Sequence, residues 1–258
     1  MLAMNDKQLL KQAIQEAGEY LKKAFYNPHK IESKGDKGIV TEADKESERV
    51  ILSYLNKSGY SILSEEMGEV DKKHEMRWII DPIDGTTNFS RGIPMFSISI
   101  ALEDSKGFLL GSVYNPITNE LFEAERGEGA FFNGERISVS KSEVLNDNVI
   151  NLSYGYNRES NSIYSRVLEE IDPLIVKRTI GTTALELCYV ADGRIDGYVS
   201  TGNSIWDYAA GALIVEEAGG MITDWKGRKR DFNKYFFIAS NRTLYPELQK
   251  MLEKYQNS

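Results

Sequence analysis

Thiol and imidazole chemistry is nearly absent from this chain of 258 residues, which has one cysteine, Cys188, and two histidines. A lone cysteine closes no internal disulfide, and so few nitrogen and sulfur donors do not build the usual zinc cage. No apolar run approaches the ~20 residues that a bilayer-spanning helix needs. Positive charge is also short: 31 Lys and Arg stand against 39 Asp and Glu, a net charge of −8. That balance excludes nonspecific nucleic-acid binding, which requires a basic surface. The opening Met1-Leu2-Ala3-Met4-Asn5-Asp6 lacks the basic-then-apolar plan of a secretory leader. A cytoplasmic protein with neither membrane nor nucleic-acid partner is expected.

What is present is ordinary for a globular protein, and the length suits one large domain or two fused lobes. Leu9, Leu10, Ala13, Ile14, Ala17, Leu21, Ala24 and Phe25 share one helical face, which predicts a helix from about Asn5 to Tyr26. A Gly-punctuated polar loop over 32–38 follows, carrying Lys34 and Lys37. A second helix is predicted from Thr41, where Thr41-Glu42-Ala43-Asp44 fits a capping box.

From Tyr60 the pattern turns to strands, at 61–63, 77–80, 96–100, 108–114, 120–124 and 129–132, with Asn133-Gly134 as a hairpin turn. After Ser140 strands and helices alternate: strands at 149–154, 174–180, 195–200 and 236–238, and helices over 162–171, from Thr183, from Asp207 to Ala218 and from Tyr245. Thr183 and Glu186 have the spacing of a capping box. The expected organisation is an α+β lobe over 1–139 and an α/β lobe over 140–258, joined as one unit.

The chemistry concentrates in Trp78-Ile79-Ile80-Asp81-Pro82-Ile83-Asp84-Gly85-Thr86-Thr87-Asn88. An apolar strand delivers Asp81 at its carboxyl end, where open α/β sheets place ligands. Asp84 follows at a predicted helix entrance, and Gly85 allows close approach of backbone N–H groups to an anion. One turn thus offers carboxylates to cations and N–H donors to a phosphoryl group, the two halves of metal-assisted phosphoryl transfer. Taken singly, Asp84 is equally explained as a helix cap and Asp81 as an Asx turn. Glu65, at the exit of the 61–63 strand, and Asp207, at the start of a small-residue helix, are further acidic termini. Recurrence of such termini in a chain without histidine alternatives points to a hard cation with oxygen ligands, magnesium before calcium or zinc.

Asp81-Pro82-Ile83-Asp84-Gly85-Thr86-Thr87-Asn88 and Trp206-Asp207-Tyr208-Ala209-Ala210-Gly211 resemble the two signatures of the inositol monophosphatase family. Glu65-Glu66, Val40-Thr41-Glu42-Ala43-Asp44, the hairpin Gly127 to Gly134 and Glu217-Ala218-Gly219-Gly220 resemble further family segments in the same order, so the resemblance spans nearly the whole chain. It implies a layered α-β-α-β-α sandwich of α+β class, a homodimer, and two or three Mg2+ ions per active site, with sensitivity to lithium.

By the same resemblance Glu65, Asp81 and the Ile83 carbonyl match the ligands of a first metal, and Asp81, Asp84 and Asp207 those of a second. Gly85 and Thr86 match phosphate contacts, and Thr86 with Asp44 matches the pair that orients the attacking water. Gly181-Thr182-Thr183-Ala184 matches a segment beside the substrate, which makes Thr183 a candidate contact. Seven residues before Asp207, where many family members carry a glutamate for the inositol ring, this chain has Ser200. Inositol 1-phosphate leads as substrate, then fructose 1,6-bisphosphate, with adenosine 3′,5′-bisphosphate, NADP and histidinol phosphate behind. Asn157-Arg158 can serve a second phosphate or be an exposed loop, and Lys34 and Lys37 are open in the same way. A non-catalytic binding module on the same fold is the alternative outside enzymes.

Overall fold

The computed structural model describes residues 4–27, 31–33, 39–146, 148–155, 158–171, 175–228, 236–252 and 254–255. Lys34, Lys37 and Asn157 lie outside them. Helix α1 (Met4–Ala24) buries Leu9, Leu10, Ala13, Ile14, Ala17 and Leu21, the predicted apolar stripe. A short antiparallel pair, β1 (Ile31–Ser33) and β2 (Ile39–Thr41), leads into α2 (Glu42–Leu55). Thr41 caps α2 through the expected box: its Oγ1 accepts from the Ala43 N–H, and Asp44 Oδ2 accepts from the Thr41 N–H.

The α1–α2 layer covers one face of an eight-stranded sheet. Its strands are β3 (Ser61–Ser64), β4 (Gly68–Val70), β5 (Arg77–Asp84), β6 (Ser97–Asp104), β7 (Gly107–Asn115), β8 (Glu120–Glu125), β9 (Gly129–Phe132) and β10 (Glu135–Arg136), in the order β10-β9-β8-β7-β6-β5-β3-β4. Every neighbouring pair is antiparallel except β3–β5. Asn133 and Gly134 both have positive φ in the two-residue turn between β9 and β10, as the Asn-Gly dipeptide predicts. A helix of five residues, α3 (Thr86–Ser90), follows β5.

A second sheet, ordered β12-β11-β13-β15-β14, contains β11 (Val149–Ser153), β12 (Val176–Arg178), β13 (Gly197–Thr201), β14 (Met221–Asp224) and β15 (Phe236–Ser240). Between the two sheets lie α5 (Thr183–Ala191) and α6 (Ile205–Glu217), and α4 (Arg158–Ile171) and α7 (Tyr245–Leu252) cover the outer face. The result is the α-β-α-β-α layering that the family resemblance implies.

The central helices explain why the layers are close. All nine residues of α5 are buried, as is Tyr208 to Val215 of α6, so each helix is apolar on every side. Small residues set the spacing: a Cβ added at Gly111 of β7 would stand 2.9 Å from the Ala210 carbonyl oxygen of α6, and one at Gly211 would stand 2.7 Å from Leu187 Cβ. The Ala-Ala-Gly run after Asp207 is thus a packing surface that seats α6 directly on the first sheet. Trp78, Phe89, Phe96 and Phe122 are fully buried on that sheet, each contributing ~1.5–3 kcal/mol of transfer free energy.

Three predicted boundaries shift. Helix α6 starts at Ile205 behind an Ser204 cap, so Asp207 is its third residue and closes a capping box rather than opening the helix. Helix α5 is capped at Thr182, not Thr183, and the expected Thr183–Glu186 box does not form. The strand expected over 174–180 is only Val176–Arg178, an exposed edge strand with one neighbour.

Candidate active site

The strand β5 carries the first two carboxylates inward. Its register with β6 breaks between Asp81 and Asp84, and this bulge turns both residues toward the same end of the sheet. Asp81 is 2 % exposed, and its Oδ1 accepts a 3.0 Å hydrogen bond from the Ile83 N–H, so the expected Asx turn exists alongside any other role. Gly85, at φ +93°, ends the strand, and an added Cβ there would stand 3.1 Å from the Met95 carbonyl oxygen and 3.2 Å from that of Gly181. Only glycine combines that conformation with that proximity.

Asp84 does not cap the helix next to it. Its carboxylate crosses to the second half of the chain and caps α5 instead, accepting from Thr182 Oγ1, from the Thr183 N–H at 3.2 Å and from the Ala184 N–H at 2.7 Å. Burial raises its pKa to about 6 against the pull of those three donors. Asp81 is pushed well above the ordinary carboxylate range, first by burial and then by repulsion from Glu65, Asp84, Asp207 and Asp44. Among the described residues that line the cleft, no lysine or arginine stands beside these carboxylates.

Thr86 and Asp44 meet as the resemblance implies. Thr86 Oγ1 lies 2.9 Å from Asp44 Oδ1 and 3.0 Å from the Ile83 carbonyl oxygen, two acceptors for its one hydrogen. The other oxygen of Asp44 accepts from the Thr41 N–H at 2.7 Å and from Thr41 Oγ1 at 2.6 Å, which fixes the carboxylate while it serves the helix cap. Asp44 is fully buried, and burial pushes its pKa up to about 6.

Glu65, Asp81, Ile83, Asp84, Gly85, Thr86, Thr183 and Asp207 line one cleft of about 300 Å³. Asp44 is connected to it through Thr86. Ser200 does not line it: the residue is fully buried behind Asn203, whose Nδ2 donates to Ser200 Oγ at 2.7 Å and to the Tyr198 hydroxyl at 3.1 Å. Thr183 Oγ1 lies 2.9 Å from Asn203 Oδ1 and 3.0 Å from the Tyr198 hydroxyl, so it braces Asn203. Arg158 is exposed at the start of α4 and is not among the residues lining the cleft.

Several lining residues escaped the sequence reading. Asn88 Nδ2 donates to the carbonyls of Met95 at 2.7 Å and Ile180 at 2.8 Å, stitching the two halves of the chain at the cleft. Tyr154, Thr179 and Asn203 complete the outer wall. Glu186 is 1 % exposed, and its Oε1 accepts from Asn151 Nδ2 at 3.0 Å and from the Ile180 N–H at 2.8 Å. A single carboxylate inside the apolar run Ala184 to Ala191 was the available signal, and the capping-box spacing obscured it.

Burial raises the Glu186 pKa from 4.5 to about 8, more than its hydrogen bonds lower it. The folded state therefore holds this proton more tightly than the unfolded chain does. Its stabilising effect is complete below pH 4.5 and is lost as pH rises through about 8. Glu186→Gln removes that titration, so in metal-free buffer the variant should gain melting temperature relative to wild type between pH 5 and pH 8. Parallel melting curves of the two proteins over that range would contradict the assignment.

The cleft suits a hard divalent cation by donor chemistry. Its described lining holds five carboxylates, Glu65, Asp81, Asp84, Glu186 and Asp207, and neither lysine nor arginine. Among the described residues, no three His, Cys, Asp or Glu side chains already stand as a metal-holding group. The fit therefore rests on oxygen-only donors and on the burial and mutual repulsion that raise the Asp81 pKa.

Known proteins resemble this chain along most of its length. The chain is 38% identical over 253 residues to the inositol-1-monophosphatase of Mesorhizobium japonicum, with 94% of each chain covered. It is 40% identical over 223 residues to a protein of Thermotoga maritima named fructose-1,6-bisphosphatase/inositol-1-monophosphatase, covering 85% of this chain and 84% of that one. The crystal structure of extragenic suppressor protein suhB from Bartonella henselae superposes with a TM-score of 0.91 at 39% identity, over 96% of this chain and 98% of the other. The inositol monophosphatase family matches residues 5–257, and the chain belongs to that family.

Proposed function

We propose that this phosphatase hydrolyses inositol monophosphate or a similar small sugar phosphate with the help of magnesium. The observation that carries the reading is the convergence of Glu65, Asp81, Asp84 and Asp207 on one cleft beside the Thr86–Asp44 pair. Magnesium held by Glu65, Asp81, the Ile83 carbonyl, Asp84 and Asp207 would acidify water and neutralise charge on the phosphoryl group.

The chain's own residues do the rest. Thr86 orients the attacking water, takes its proton at Oγ1 and passes its own hydrogen to Asp44 Oδ1. The Asp44 pKa of about 6 suits a general base working near neutral pH. Backbone N–H groups of Gly85 and Thr86 hold the phosphoryl oxygens. As water oxygen bonds to phosphorus, the bond from phosphorus to the ester oxygen breaks, and Asp44 returns its proton to solvent. The ester oxygen leaves toward the outer wall as an alkoxide that takes a proton from solvent water. There Asn203, held rigid by Thr183, Tyr198 and Ser200, keeps one Oδ1 lone pair for a substrate hydroxyl. Tyr154, 56 % exposed and near-perpendicular to Tyr164 at 6.1 Å, offers apolar ring surface to its carbon skeleton. The mechanism needs no covalent phosphoenzyme. The reading includes a homodimer in the cytoplasm and a full set of two or three Mg2+ ions.

Fructose 1,6-bisphosphate is the second substrate, favoured by the dual name of the Thermotoga relative. Adenosine 3′,5′-bisphosphate, NADP and histidinol phosphate follow. Steady-state kinetics across these esters test the order. A kcat/KM for inositol 1-phosphate at least tenfold above the others is expected, and a higher value for fructose 1,6-bisphosphate would reverse the assignment.

A further inference from the structure

Helix α2 faces the site with three residues on one side, Asp44, Ser47 and Glu48, spaced i, i+3 and i+4. Asp44 serves Thr86. Ser47 Oγ donates to the Pro82 carbonyl oxygen at 3.1 Å, touching the backbone between Asp81 and Asp84. Glu48 is 7 % exposed and reaches the other carboxylate-bearing turn.

That turn is the three-residue loop Glu65-Glu66-Met67 between β3 and β4, where Ser64 pairs with Gly68 and Gly68 takes φ +80°. Glu48 Oε1 accepts from Ser64 Oγ and, at 3.1 Å, from the Met67 N–H. One buried oxygen thus ties both ends of the loop to α2. Among the described residues β4 has no outer neighbour, so the loop lies at the sheet edge; the Glu65 N–H donates to the Ile80 carbonyl oxygen at 3.2 Å, and the Met67 end is held from α2. No other carboxylate among the described residues bonds to the Ser64 hydroxyl or the Met67 N–H, and Glu65 stands directly between them in sequence.

We propose that Glu48 is a positioning residue that holds Glu65 in place to receive the divalent cation. It acts through the Ser64–Met67 turn and touches neither cation nor substrate. The inference rests on Glu65 being a metal ligand. Without the brace the turn keeps its hairpin but loses its fixed approach to Asp81, and the cation meets a less organised set of donors. Partners that orient metal ligands typically change affinity ~10–100-fold when removed.

The test is magnesium titration followed by melting temperature, which needs no substrate. Glu48→Leu should raise the magnesium concentration for half-maximal stabilisation at least tenfold. Glu48→Gln keeps an acceptor oxygen at the same place and should stay within about threefold of wild type. Ser64→Ala removes one of the two contacts at little cost in volume and should give an intermediate shift, which decides the matter if Glu48→Leu does not fold. Glu65→Gln is the reference. If it leaves the magnesium midpoint unchanged, the metal reading of Glu65 has failed. If it shifts the midpoint while Glu48→Leu and Ser64→Ala only lower the metal-free melting temperature, Glu48 is structural and the inference is overturned.

Discussion

Adding magnesium to the metal-free protein should raise its melting temperature by roughly 5–10 °C, and chelator should return it. A ligand present at a hundred times its dissociation constant, binding only the native state, contributes about 2.7 kcal/mol. In a domain of this size each kcal/mol moves the transition by about 2–4 °C. Asp81 is buried among Glu65, Asp84, Asp207 and Asp44, and burial first, then their repulsion, pushes its proton affinity up. A cation removes that repulsion, so the folded state gains while the unfolded chain, in which Asp44, Glu65 and Asp207 are far from the Asp81–Asp84 pair, does not. Identical melting curves in magnesium and in chelator would contradict a metal centre here. Sodium at matched ionic strength is the control, because general screening does not reproduce a site-specific gain.

Asp84→Asn should lower kcat by on the order of 10²–10⁴-fold, since a cation's stabilisation of transition-state charge amounts to several kcal/mol at tenfold per 1.36 kcal/mol. The variant separates two roles of one carboxylate. Asparagine still offers one oxygen to the α5 N-terminus, so folding should survive with a loss of about 1 kcal/mol. Asp84→Ala removes the acceptor for Thr182 Oγ1 and the Thr183 and Ala184 N–H groups together, adding a stability loss of ~1–3 kcal/mol for stranded buried donors. Circular dichroism and melting curves distinguish the variants, and kcat should be low in both. An Asp84→Asn enzyme retaining more than a tenth of wild-type kcat would remove Asp84 from the chemistry.

The double duty of Asp84 also shows where sequence reading stops. Local signals were legible because local physics decides them: the α1 stripe, the Thr41–Asp44 box, the Asn133-Gly134 turn and the Asx turn at Asp81 depend on residues within a few positions. Asp84 as a cap for a helix a hundred residues later does not. Neither does Glu186, whose partners Asn151 and Ile180 come from β11 and the loop before α5. The spacing of Thr183 and Glu186 satisfied a local rule, and a tertiary hydrogen bond overrode it.

Substrate contacts were the least legible. The family resemblance offered Ser200 as a contact, yet the structure turns it inward and places Asn203, three residues later, on the cleft wall. A β13 residue whose side chain faces the core cannot be told from one facing the cleft until the strand's neighbours are known. The short strands β1, β2, β4 and β14 were missed for a related reason, since three or four residues carry too little alternation to announce themselves.

The most direct test of the account is phosphate release from inositol 1-phosphate by the purified chain in magnesium, after chelation, and after magnesium is restored. Turnover should disappear with chelator and return with the metal. Release that continues undiminished in chelator would contradict it.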